Sequence, residues 1–327
     1  MSLLATHDAL LLDLDGTVWE GGRAIPGAVE AVNASPLPGV YITNNAMRAP
    51  SEVAEKLRAI GLDAAEDDVV TSAQAAIELA GESLEPGDAV YVIGTPSFKE
   101  LASRAGYTVV DSADEKPKAV LQGLDPEVTW AQLSEAALAI RGGAAFFASN
   151  LDTTLPTERG LMVGNGSMVA ALVSATGVTP TSAGKPLPAM LIAAARRLGS
   201  RRPLVVGDRL DTDIEGGNAA GMPTFQVLTG VSGHMALLEA PKEQRPTYVA
   251  ESLAELTSPA ASLTPGAQGG FTARVDDGDI LLERGSGAST SVQALRTVLE
   301  VAWALPKPPA LIRPMSDDAY RAVESWW

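Results

Sequence analysis

Apolar positions in this chain fall into short unbroken runs, separated by segments where they recur every three or four residues. Residues 9–12, Ala-Leu-Leu-Leu, make the first run, which reads as a strand buried on both faces. The run ends in Asp13-Leu14-Asp15-Gly16-Thr17, where Gly16 lets the backbone leave the strand sharply. The pattern then predicts a helix over 25–33 with Pro26 in its first turn, a strand over 39–42, and a helix over 51–60 stopped by Gly61. A strand at 69–71 and an alanine-rich helix over 72–80 add one more step. Strand–helix alternation of this kind predicts a parallel sheet covered on both faces.

Pro86-Gly87 marks a boundary. Strands at 89–93, 107–110, 119–123 and 144–148, with helices over 96–104 and 129–141, complete a second α/β unit. Residues 150–166, rich in Asp, Thr, Pro and Gly, read as a long loop or hairpin, and a helix over 167–175 leads out of it. The alternation resumes with a helix over 188–198, a strand at 204–207, a helix running to Ala220, and strands at 224–228 and 247–249. Residues 256–270 have the Ser/Thr/Pro/Gly/Ala composition of a linker. Beyond them come a hairpin over Asp276-Asp277-Gly278, a helix over 292–304, a strand at 310–312 and a last helix over 317–327. The expected division is a core in two parts, 1–81 and 183–258, an inserted domain over 82–182, and a C-terminal extension over 259–327.

The chain is long enough for two or three domains, and its 46% hydrophobic content supports full cores. Apolar runs stop well short of the roughly 20 residues that span a bilayer. Residues 1–8 carry an acid and no basic region, unlike a secretion signal. The absence of cysteine rules out disulfides and thiolate metal sites, and the expected setting is cytoplasmic. A net charge of −16 disfavours nucleic acid or an anionic membrane as partner, and it requires any phosphate site to be locally positive. Self-association is left open.

Asp13 and Asp15 stand one residue apart, so alternation along an extended chain puts both side chains on one side. Two such carboxylates repel, and a divalent cation offsets them; hard oxygen ligands favour magnesium. Three further groups also follow or flank predicted strands: Thr43 with Asn44, Lys185, and Asp208 with Asp213. Parallel α/β sheets bind ligands just beyond the carboxyl ends of their strands, so residues far apart in sequence can meet at one edge. Acids, a lysine, a hydroxyl and an amide together suit phosphoryl transfer. One carboxylate attacks phosphorus, cations neutralise the transferring group, and a second acid protonates the leaving alcohol.

In these four motifs the chain resembles the haloacid dehalogenase superfamily of phosphatases. The resemblance implies a Rossmann-like core and magnesium as cofactor. It implies Asp13 as nucleophile and Asp15 as general acid/base. Thr43 and the backbone at Asn44 would hold phosphate, and Lys185 would tie nucleophile to phosphate. Asp13, Asp208 and the Asp15 carbonyl would form the metal shell, with Asp213 just outside it. The inserted domain resembles the large α/β cap (C2 type) of one subgroup, in which the cap selects the leaving group. Its stretch 150–160, with Asn150, Asp152 and Arg159, is the expected specificity loop, and Arg48 is a further candidate to face substrate.

Longer shared stretches, over 69–74, 135–141, 155–160, 164–172 and 205–216, resemble phosphatases of glycerol 3-phosphate whose C-terminal extension is similar to part of an acetyltransferase fold. They imply hydrolysis of a small phosphorylated metabolite, glycerol 3-phosphate. Phosphoglycolate, a nucleotide or pyridoxal phosphate are the alternatives. The loop Arg284-Gly285-Ser286-Gly287-Ala288-Ser289 leaves acyl-CoA binding open for the extension, and Trp303, Trp326 and Trp327 leave a structural role open. Asp211 is expected to cap a helix, and His234 to be a solvated loop residue.

Overall fold

The computed structural model describes residues 2–157 and 159–326, so Glu158 of the expected specificity loop and Trp327 of the last helix lie outside the described residues. The chain divides into two compact units, 1–39 with 195–327, and 40–194. No helix among the described residues is long and apolar enough to cross a membrane.

In the first unit the strand Ala9–Leu12 is buried along its whole length. It pairs in parallel with Pro203–Gly207, which pairs with Thr224–Val227, which pairs with Tyr248–Ala250. The register Leu12↔Val206 carries the next residues of both strands, Asp13 and Asp208, toward the same sheet edge. The turn after Leu12 closes tightly: Trp19 N–H donates to Leu14 O at 3.0 Å and Gly16 N–H to Trp19 O at 2.8 Å. A short antiparallel pair, Trp19–Glu20 with Arg23–Ala24, follows, which the apolar pattern does not reveal because each strand is two residues long.

The C-terminal part of this unit is a three-stranded sheet. Phe271–Asp276 and Asp279–Arg284 form the expected hairpin, with Asp277 and Gly278 both at positive φ, and Ile312–Pro314 lies parallel to the second strand. The helix Ser291–Ala302 covers it, entered through a Thr290/Gln293 capping box. Leu210, Ile214, Leu237, Phe271, Ile280, Leu295 and Trp326 share one apolar cluster, so the extension has no separate core.

The linker expected over 256–270 is not a flexible tether. Leu256 and Leu263 are fully buried, Leu3 N–H donates to Ser258 O and Val249 N–H donates to Leu263 O, both at 2.9 Å. Small polar residues dominate its composition, but widely spaced leucines bind it to the unit. The buried Arg296 adds a cross-tie, donating from Nε to Val249 O at 2.7 Å and pairing with Glu255 at 2.8 Å.

Both histidines lie in this unit. His7 bonds Leu3 O and Thr6 Oγ1 through Nδ1 and meets the Tyr248 ring edge-on. His234 opens the helix His234–Glu239 and stacks on Trp326, with ring centroids 5.4 Å apart. It is therefore packed, contrary to the expectation of a solvated residue. Burial lowers the pKa of both rings below the ordinary 6.5. The unfolded chain thus binds more protons than the folded one just below pH 6.5, and stability falls as pH drops through that window. Melting temperature measured from pH 7.5 down to 5.5 in dilute buffer should decline, and His234→Phe should flatten the slope.

In the second unit, Tyr41, Ile42 and Thr43 of the strand Gly39–Thr43 pair in parallel with Val69–Thr71. The insert holds a five-stranded all-parallel sheet in the order Thr181–Ser182, Ala145–Ala148, Ala119–Gln122, Ala89–Ile93, Thr108–Val110. The helices Trp130–Arg141 and Asn165–Thr176 pack on it through Ala136, Ile140, Val169 and Leu172. The hairpin foreseen within 150–166 is present as Thr154–Thr157 paired with Gly160–Val163, and Leu161 to Val163 face solvent.

Candidate active site

Asp13 sits one residue past a buried strand, and Asp208 one residue past the strand beside it. Asp13 N–H donates to Val206 O at 2.8 Å, which fixes the start of its loop. Asp213 returns to the same place because 210–214 coil in one wide turn before the helix Glu215–Ala219. One ligand oxygen from each of Asp13, Asp208 and Asp213 lies within 4.8 Å of the others, and the last two residues are almost wholly buried. Carboxylates gathered this closely repel unless a cation offsets them. An all-oxygen donor set at a sheet edge fits magnesium. Asp213, expected just outside the metal shell, accepts the Arg209 N–H on Oδ2 at 3.1 Å and also offers an oxygen to this cluster.

The loop 229–232 completes this part, and nothing in the sequence reading singled it out. Asp208 Oδ2 accepts the Val231 N–H at 2.6 Å, and its backbone carbonyl accepts from Gln226 Nε2 at 2.6 Å. Thr229 Oγ1 donates to Gly16 O at 2.7 Å, joining this loop to the turn that carries Asp15. A Cβ on Gly16 would lie 2.5 Å from Asp208 Oδ2, and one on Gly230 only 2.0 Å away. Both approaches require glycine, and at Gly16 the φ of +86° requires it again. Asp15 lies on the exposed side of the turn, and its Oδ1 accepts the indole N–H of Trp19 at 2.9 Å. Asp211 does not cap a helix; its carboxylate makes a two-point pair with Arg209, at 3.0 and 2.7 Å.

The other candidates lie in the second unit. Thr43 ends its strand almost buried, its Oγ1 accepting the Asn45 N–H at 3.1 Å. Lys185 is buried, and its Nζ reaches Ile42 O at 3.4 Å. The Asn44 side chain grips the Lys185 backbone from both sides, accepting from its N–H at 2.9 Å and donating to its carbonyl at 3.0 Å. The same amide donates to Asp152 Oδ2 at 3.1 Å. Asn150, nearly buried, donates from Nδ2 to Asn44 O at 2.7 Å and accepts the Asp152 N–H at 3.2 Å. Asn150, Asp152, Asn44 and Lys185 therefore form one hydrogen-bonded network, in which the amide side chains position backbone. Arg48 is half-buried, and Arg159 is exposed on the hairpin. A hollow of about 460 Å³, lined by His7, Arg202, Met222 and Tyr248 among others, opens at the amino ends of the first unit's strands, the end opposite the acids.

Comparison with known proteins adds to this geometry. A family model described as haloacid dehalogenase-like hydrolase matches residues 10–108, and one described as HAD-hydrolase-like matches residues 182–256. The D-glycerol 3-phosphate phosphatase of Mycobacterium tuberculosis is 46% identical over 279 residues, which is 85% of this chain and 79% of that one. The acid sugar phosphatase of Staphylococcus aureus is 40% identical over 231 residues, 69% of this chain and 88% of that one. Among solved structures, the glycerol phosphate phosphatase of M. tuberculosis in complex with magnesium superposes with a TM-score of 0.94 at 42% identity, covering 100% of this chain and 98% of that one. A 4-nitrophenylphosphatase from Thermotoga maritima does so with a TM-score of 0.73 at 30% identity, over 79% of this chain and 99% of that one.

Proposed function

The chain belongs to the haloacid dehalogenase-like hydrolases, and on that premise we propose that it is a magnesium-dependent phosphomonoesterase releasing glycerol and phosphate from glycerol 3-phosphate. The observation that carries the chemistry is the convergence of Asp13, Asp208 and Asp213 within 4.8 Å. The substrate rests on the likeness to the mycobacterial D-glycerol 3-phosphate phosphatase, sustained over 279 residues.

The Asp13 carboxylate attacks phosphorus in line with the ester oxygen. As the new bond forms, the bond from phosphorus to glycerol oxygen breaks, and that oxygen takes the proton held by Asp15. Asp13 now carries an acyl phosphate. Asp15, as carboxylate, removes a proton from water, which attacks phosphorus and expels the Asp13 oxygen. Phosphate leaves, with Asp13 ionised and Asp15 protonated as at the start. Thr43 and Lys185 take the roles of holding phosphate oxygens, and the Asn44 amide sets the Lys185 backbone. Asp13, Asp208 and the Asp15 carbonyl would hold magnesium, beside Asp213, where it supplies charge neutralisation to the transferring group.

Asn150 and Asp152 act in this reading by positioning, since both are committed to the Asn44 network. Arg159 and Arg48 are the remaining candidates to meet the leaving group. For residues 259–327 the structural role is the better supported. Their apolar residues share a core with Leu210 and Ile214, and the 284–289 loop spends the Ser286 N–H on Ser289 Oγ at 2.8 Å. The likeness to the phosphatases supports a small phosphorylated metabolite as substrate, the net charge of −16 argues against a nucleic-acid partner, and the absence of cysteine fits the cytoplasm.

Phosphate release with magnesium, measured over a panel of phosphomonoesters, tests the assignment. Glycerol 3-phosphate should give a kcat/KM at least about tenfold above phosphoglycolate, pyridoxal phosphate and mononucleotides. A nucleotide at the head of the ranking would remove the glycerol assignment and leave only the phosphatase.

A further inference from the structure

We propose that Trp19 is the positioning residue for the general acid, and that its indole N–H fixes the orientation of the Asp15 carboxyl group toward the leaving oxygen. The inference rests on the reading above, in which Asp15 gives its proton to the leaving alcohol.

The indole Nε1–H donates to Asp15 Oδ1 at 2.9 Å. An indole N–H is a donor only and has no second role to switch to. When Asp15 is protonated, this bond to Oδ1 holds the carboxyl group in one orientation. When Asp15 is ionised, the same bond holds the carboxylate plane in place. The acid therefore enters both half-reactions with one orientation, although the residue itself is exposed.

The donor is firmly held. Trp19 is 5% exposed. Its backbone N–H donates to Leu14 O and its carbonyl accepts from Gly16, which closes the turn across Asp15. The Trp19–Glu20 and Arg23–Ala24 pair holds it from the other side, with Trp19 opposite Ala24. Exposed carboxylates ordinarily sample several rotamers, and orienting one against a fixed donor favours the reactive arrangement. A role in packing alone would not need the nitrogen.

The test uses leaving groups of different quality. Alkyl phosphates need a proton on the departing oxygen, whereas 4-nitrophenyl phosphate releases a stable phenolate without one. The quantity to compare is kcat/KM, which reports the steps up to transfer onto Asp13 and excludes the shared hydrolysis of the acyl phosphate. In the full-length protein with saturating magnesium, Trp19→Phe should lower kcat/KM for glycerol 3-phosphate about tenfold and change that for 4-nitrophenyl phosphate less than about twofold. Replacing the Trp19 indole by benzothiophene, which keeps the shape and removes only the N–H, should reproduce the split if the phenyl ring destabilises the turn. Equal losses on both substrates, or no loss on either, would overturn the inference. A wild-type protein that hydrolyses neither ester would instead refute the phosphatase reading beneath it.

Discussion

Replacing Asp13 by asparagine should reduce phosphate release by roughly 10⁴-fold or more while leaving the fold intact. The amide matches the carboxylate in size but cannot form an acyl phosphate, so no partial route through the same atom survives. The backbone bond from Asp13 to Val206 involves no side-chain atom and persists in the variant. The substitution also removes one of three charges gathered within 4.8 Å. In metal-free buffer the variant should therefore melt at the same temperature as the wild type or higher, because like-charge repulsion is relieved. Loss of turnover with retained or raised melting temperature separates a chemical role from a structural one. Turnover within tenfold of the wild type would place the nucleophile elsewhere.

The residues that carry this prediction were legible because their signals are local. Four apolar residues followed by Asp-x-Asp-Gly-Thr describe a strand, its mouth and its turn within nine positions. The parallel alternation was equally readable, since each strand and helix announces itself over a short window. What escaped were relationships with no sequence neighbourhood. Gly230 lies more than two hundred residues from Gly16, yet both face the Asp208 carboxylate. Trp19 reads as one more apolar position, and only the closed turn turns its nitrogen toward Asp15. Asp211 fits a helix cap by spacing, but Arg209 two residues away donates to its carboxylate at two points through the guanidinium.

The segment over 256–270 failed for a related reason. Its composition is that of a tether, and composition averages away the leucines that fasten it. Asn44 shows the limit within a motif. The resemblance draws attention to its backbone, whereas its side chain locks the Lys185 backbone and meets Asp152, 108 positions further on. Three Thr-x-x-Gln boxes, at Thr71, Thr129 and Thr290, were by contrast available as written signals and would have set those helix starts to the residue.

Gly230→Ala should be among the most damaging single-methyl additions in this protein, although Gly230 bears no chemistry. The added carbon would stand 2.0 Å from Asp208 Oδ2 and 2.4 Å from its Cγ, far inside contact distance. Asp208 is fully buried and bonded to Val231 N–H, and a Cβ at Gly16 would also stand only 2.5 Å from its Oδ2, so the carboxylate is closely confined. Either the carboxylate or the 229–232 loop must shift by an ångström or more. A displacement of that size at a reacting site costs on the order of 10²-fold in rate. The expected result is a fall of about 10² in kcat/KM, together with a weaker magnesium affinity by calorimetry on the resting protein. Gly233→Ala is the matched control three residues on. Its Cβ would meet nothing within 4 Å and its φ of −89° suits any residue, so activity and melting temperature should stay at the wild-type level. If the two variants behave alike, Asp208 is not held by close approach of this loop, and its place in the magnesium site loses its structural support.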